Sequence, residues 1–179
     1  MPDTPLHWQP MEVLSKRIHD GSLSPVTLME HFLDRAESLN PALGAFQILP
    51  REQALEAARA AELALASGYD AGPLHGIPFA AKDIIDVRGL PTTAGSNGLL
   101  GNIADQDATV VEHLRRAGMV LMGKTRTVQF ALGAPGVNRV QGTPHNPWAK
   151  EHHVPGGSSS GSAVAVAAGL VPMALGTDT

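Results

Sequence analysis

Apolar positions recur at helical spacing through the first third of the chain. Met11 to His19 predicts a first helix, ahead of Gly21. In the next segment Val26, Leu28, Met29, Phe32, Leu33, Ala36 and Leu39 make one stripe at three- and four-residue intervals, the pattern of a helix with one buried face. Ser24 supplies an N-cap hydroxyl, Pro25 suits the first helical position, and Asn40-Pro41 predicts the stop. Ala45 to Leu49 reads as a short strand, and Arg51 to Ala66 as an alanine-rich helix ended by Gly68.

Further on the pattern changes. A short apolar run, Gly76 to Ala81, meets Lys82-Asp83 and gives way to a glycine-rich loop broken by proline. Asp107 to Ala117 predicts a helix closed by Gly118, and Met119 to Lys124 a strand. Gly161 to Ala168 predicts a helix packed on several sides, and Leu170 to Leu175 a buried strand with Pro172 near its start. Between Gly133 and Gly157 the chain is irregular and carries Pro135, Pro144, Pro147 and Pro155, so this stretch is either functional or hides further elements. Alternating strands and helices predict an α/β layered fold. No repeat or linker divides the chain. Residues 1–67 read as a helical N-terminal region and 68–179 as the core segment of the same domain.

Composition narrows the function classes. Of the 179 residues 43% are apolar and 17% charged, the balance of a globular domain with its own core. A formal charge of -4, with 13 scattered Lys and Arg, gives no basic surface for a phosphate backbone, so no direct nucleic-acid partner is expected. The absence of cysteine removes disulfides, thiolate metal sites and cysteine nucleophiles together. The N-terminus has neither a basic nor an apolar leader region, and no stretch reaches the ~20 apolar residues of a membrane helix, so a cytoplasmic protein without membrane contact is expected.

The run Val154 to Gly169, VPGGSSSGSAVAVAAG, sets three serines between glycines in front of an apolar helix. No GK[ST] follows the glycines, which excludes a phosphate-cradling loop of the usual form. Gly157 to Gly161 satisfies G-x-S-x-G with Ser159 at its centre, yet the residues before it are polar and proline-broken where a nucleophile elbow needs a strand. Pattern alone reads the run as a serine turn capping the helix. Lys82 also has two readings. At the end of a buried strand, desolvation lowers a lysine's pKa and makes it a usable base, whereas beside Asp83 and Asp86 it could belong to a solvated turn.

Several segments taken together resemble the amidase signature family. They are Gly76-Ile77-Pro78 through Lys82-Asp83, Thr93-Ala94-Gly95-Ser96, Gly123-Lys124-Thr125, Asn146-Pro147-Trp148, Pro155-Gly156-Gly157-Ser158-Ser159-Ser160-Gly161-Ser162 and Gly176-Thr177-Asp178-Thr179, in the family's order. The resemblance implies a mixed central β-sheet covered by helices on both sides, of which this chain would be the N-terminal part. It also implies a Ser-cisSer-Lys triad in which Lys82 is the base and Ser158, after a cis peptide with Gly157, relays a proton. Gly156, Gly157, Ser159 and Asp178 would shape the site, Thr179 would begin the oxyanion turn, and Ala131 and Leu132 would line an apolar substrate pocket. The family's nucleophilic serine follows in a segment reading G-T-D-x-G-G-S, beyond Thr179, so residues 1–179 alone are expected to be inactive.

Two residues depart from the family's usual pattern: Arg126 stands where asparagine is common and Gln129 where an acid is. The implied activity is hydrolysis of a small-molecule carboxamide, with a homo-oligomer as one expected assembly. The alternatives are the A-type subunit of a tRNA-dependent amidotransferase, which would need partner subunits, and a non-catalytic fragment. No cofactor is implied. His145, His152 and His153 lie close together, but the adjacency of the last two is poor spacing for a metal site, and none is expected.

Overall fold

The apolar stripe and the caps produce the N-terminal helices. In the computed structural model, which describes residues 4–178, α1 spans Met11–His19 and α2 spans Pro25–Leu43. The Ser24 hydroxyl accepts from the backbone N–H groups of Val26 and Thr27 at 3.0 and 3.2 Å. Leu28, Met29, Phe32, Leu33 and Ala36 are buried. The helix does not stop at Asn40-Pro41. It runs one turn further and ends at Gly44, whose φ of 61° is the left-handed C-cap conformation that glycine adopts without strain. So close to the end, Pro41 forfeits a single helical bond, to the carbonyl of exposed Glu37.

β1 (Phe46–Ile48), α3 (Arg51–Ala66), β2 (Pro78–Lys82), α4 (Thr109–Arg116), β3 (Val120–Thr125), α5 (Ser160–Ala167) and β4 (Ala174–Leu175) follow. The sheet order is β1-β3-β2-β4. β2 runs parallel to both β3 and β4, and β1 runs antiparallel to β3, which makes the sheet mixed. β1 thus joins the N-terminal region to the sheet of the core segment. α5 packs on β2, β3 and β4, while α3 packs on α2 and β3.

β4 is shorter than the buried run predicts. Leu170 and Val171 are buried, but Pro172 lacks an N–H and ladder pairing covers only Ala174 and Leu175. The stretch from 133 to 157 holds no helix or strand. No helix among the described residues is long and apolar enough to cross a membrane.

Candidate active site

All five residues of β2 are buried, so Lys82 leaves the strand inside the protein and is 0% exposed. Its Nζ lies 2.7 Å from Ser158 Oγ and 2.7 Å from Thr177 Oγ1. Burial alone pushes the Lys82 pKa below that of a free lysine, because a desolvated ammonium is penalised.

Ser158 reaches this position through the glycines before it. Gly156 has φ +81°, a region that side chains rarely adopt. A Cβ on Gly157 would stand 2.7 Å from Gly136 Cα, so the close approach of the two loops requires glycine. The Gly157-Ser158 peptide is cis. The Ser158 carbonyl accepts from Val128 N and from Thr127 Oγ1, both at 3.1 Å, which pins the peptide to the loop after β3.

The neighbouring serines do other work. Ser159 Oγ donates to the carbonyl of Thr177 at 3.2 Å and accepts its N–H at 3.1 Å, clasping the segment after β4 to the start of α5. No strand precedes Ser159, which removes the nucleophile-elbow geometry. Ser160 is fully buried, and its Oγ has no hydrogen-bond partner among the described residues. Ser162 Oγ donates to Leu175 O at 2.8 Å and meets Thr125 Oγ1 at 2.7 Å, tying α5 to β3 and β4.

A second buried lysine was not anticipated from the sequence. Lys124 Nζ lies 2.9 Å from Asp83 Oδ1, with both side chains at most 1% exposed, and it also donates to Pro91 O at 3.0 Å and Thr92 Oγ1 at 3.2 Å. The signal was present: two buried strands each end in lysine, and Asp83 follows the first.

This arrangement places an amine of lowered pKa against a serine hydroxyl, within a scaffold that also matches known proteins. A family profile described as Amidase matches residues 27–179. The chain belongs to the amidase family. It is 47% identical over 174 residues to the A-type subunit of a glutamyl-tRNA(Gln) amidotransferase from Coxiella burnetii, covering 97% of this chain and 36% of the relative. The corresponding protein from Aromatoleum aromaticum is 50% identical over 157 residues, covering 88% of this chain and 32% of the relative. Among solved structures, peptide amidase PAM bound to the competitive inhibitor chymostatin superposes with a TM-score of 0.90 at 37% identity, over 98% of this chain and 37% of that one. A protein described through the evolutionary origins of an s-triazine catabolic enzyme gives 0.90 at 34% identity, over 96% and 37%. The chain therefore spans about a third of the length of these amidase-family proteins.

The other residues implied by the family pattern are placed unevenly. Ala131 is buried at 4% exposure and Leu132 is 76% exposed. Phe130 and Ala131 both have positive φ, 53° and 57°, a conformation uncommon for side-chain-bearing residues and concentrated at functional sites. Asp178 is exposed, next to Thr177, and Thr179 lies outside the described residues. Arg126 sits against Gly44 at the C-terminal end of α2, donates to Gln47 Oε1 at 3.2 Å, and has its pKa lowered by burial. Gln129 Nε2 lies 3.5 Å from Ser96 Oγ. The His145 and His152 rings meet edge to face, and no group of three or more metal-ligating side chains forms among the described residues. A cavity of about 480 Å³ between the alanine face of α3 and β3 is lined by none of the residues around Lys82.

Proposed function

We propose that this chain carries the base and proton relay of a serine amide hydrolase. In this reading neutral Lys82 accepts the proton of Ser158, and Ser158 accepts that of a nucleophilic serine which the family pattern sets just beyond Thr179. The nucleophile's oxygen bonds to the amide carbon and the carbon–nitrogen bond breaks. The relayed proton leaves on the departing amine, and water then cleaves the resulting ester. The observation that carries the reading is a fully buried lysine, of lowered pKa, 2.7 Å from Ser158 Oγ.

A second reading has support from the relatives, which are A-type subunits of glutamyl-tRNA(Gln) amidotransferases. Formation of the same acyl-enzyme from glutamine would then release ammonia to a partner protein, and tRNA would be engaged by the assembly. The peptide amidase structure at 37% identity supports simple hydrolysis.

The test joins residues 1–179 to the remainder of an amidase domain and assays simple amides, with and without candidate amidotransferase partners. Amide cleavage by the joined protein, lost in Lys82→Met, is expected. Undiminished turnover by Lys82→Met would remove the lysine from the mechanism, and equal turnover by residues 1–179 alone would put the nucleophile among the serines present.

A further inference from the structure

Asn138 lies in the irregular stretch after β3, where the sequence pattern attaches no chemistry to it. It is 2% exposed, and every hydrogen-bonding position of its side chain is used. Nδ2 donates to Gly95 O at 2.8 Å and to Thr127 O at 2.9 Å, while Oδ1 accepts from Val140 N at 2.8 Å and Gln141 N at 2.9 Å. Three loops meet on one amide. A Cβ on Gly95 would stand 2.7 Å from Nδ2 and 2.8 Å from Thr127 O, so glycine makes room for the contact.

What the amide holds leads to the site. Thr127 Oγ1 and Val128 N are the two donors to the Ser158 carbonyl, and Asn138 holds the Thr127 carbonyl on the other side of the same residue. The first loop is braced independently, since Phe130 N donates to Ala94 O at 2.7 Å and Ala94 N to Asp83 O at 2.9 Å. We propose that Asn138 is a positioning residue: it fixes Thr127–Val128 against the Ser158 carbonyl and thereby keeps the Ser158 hydroxyl aligned on Lys82. The catalytic part of this proposal rests on the hydrolase reading above; the positioning part does not.

The chemistry favours asparagine specifically. An aspartate has the same shape but no Nδ2 donors, so its second oxygen would face the Gly95 and Thr127 carbonyls and repel both. The segment over Ser158 would then open without removal of any apolar core group.

The experiment compares Asn138→Asp, Asn138→Ser and Thr143→Val with the parent protein. Thr143 Oγ1 accepts from Asn138 N at 3.0 Å, so Thr143→Val perturbs the same loop without touching the Nδ2 contacts. Amide exchange of Val128 is expected to rise about 10-fold or more in Asn138→Asp, less in Asn138→Ser, and little in Thr143→Val, with β3 amides unchanged throughout. In the protein joined to the remaining amidase domain, kcat should fall in the same order at nearly constant KM. If Asn138→Asp does not fold, Asn138→Ser and Thr143→Val still give the ordering. Val128 exchange at the parental rate in a folded Asn138 variant would overturn the proposal, as would equal effects of Thr143→Val and Asn138→Ser. If the joined parent protein cleaves no amide, the hydrolase reading fails, while the exchange ordering still decides the positioning role.

Discussion

Two fully buried lysines stand at neighbouring strand ends and are kept in different ways. Lys124 on β3 faces the Asp83 carboxylate and two further oxygens, and it joins the sheet to the loop of Pro91, Thr92 and Thr93. Lys82 on β2, equally buried, lies against the hydroxyls of Ser158 and Thr177, and burial lowers its pKa. Burial of a lysine therefore does not by itself indicate chemistry. A carboxylate partner makes the cation part of the scaffold, whereas hydroxyl partners leave an amine that can give up its proton and take another.

The largest effect expected from this contrast is on turnover. In the protein joined to the rest of an amidase domain, Lys82→Met and Lys82→Arg should each lower kcat/KM by roughly 10³-fold or more, since a methionine has no base and a guanidinium stays protonated. Circular dichroism should show both folded. Near-normal rates in Lys82→Arg would erase the distinction between the two lysines.

Next in size is a stability effect on the other lysine. Lys124→Met leaves the Asp83 carboxylate buried without its cation and should cost about 3–5 kcal/mol in urea unfolding. Lys82→Met should change stability by under about 1 kcal/mol, because it removes a poorly solvated amine whose hydroxyl partners can turn to each other or to water. Adding Asp83→Asn to Lys124→Met should recover part of the loss. Equal costs for the two single lysine variants would show that the Asp83 contact does not set Lys124 apart.

How much of this was legible in the sequence follows from the range of each interaction. The α2 stripe and cap are local, and the helix forms where they set it; its end falls later than Asn40-Pro41 predicts because Asn-Pro is a weaker stop than the left-handed Gly44. Lys82 and Ser158 are 76 residues apart, and only the joint match of two segments to one family paired them. Thr177 reaches Lys82 because β4 pairs with β2 with Leu175 opposite Ala81, a register that no local pattern encodes. Asn138 sits in a stretch without periodicity, and its four contacts involve only backbone groups, so of its partners only Gly95 is constrained in identity.

A third test follows the contrast along pH. The Lys82 pKa is depressed from its ordinary 10.5, so between the folded value and 10.5 the unfolded chain binds a proton that the folded protein does not. Over that window stability rises with pH. Below the folded pKa the penalty is fully present, and above 10.5 it is gone. The unfolding free energy of the parent protein relative to Lys82→Met should therefore increase from neutral pH toward 10.5. A pH-independent difference would mean that the Lys82 amine is not desolvated.

The smallest effect concerns the second hydroxyl on Lys82. A neutral amine has two N–H groups and one lone pair, and the proposed relay requires the lone pair to face the Ser158 O–H. Thr177 Oγ1, at 2.7 Å, accepts one N–H and so limits rotation about the Cε–Nζ bond to orientations that leave the lone pair available to Ser158. Thr177→Val keeps the shape and removes that acceptor, allowing an N–H to turn onto Ser158 Oγ in the unproductive direction. The net worth of one such hydrogen bond is ~1 kcal/mol, so kcat/KM of the joined protein should fall about 3- to 10-fold. Thr177→Ser, which retains the hydroxyl, should lie near the parent. The backbone clasp of Thr177 on Ser159 is untouched by either change, so the fold should hold. A loss in Thr177→Ser as large as in Thr177→Val would trace the effect to packing of the methyl group, and Lys82 would then depend on Ser158 alone for its orientation.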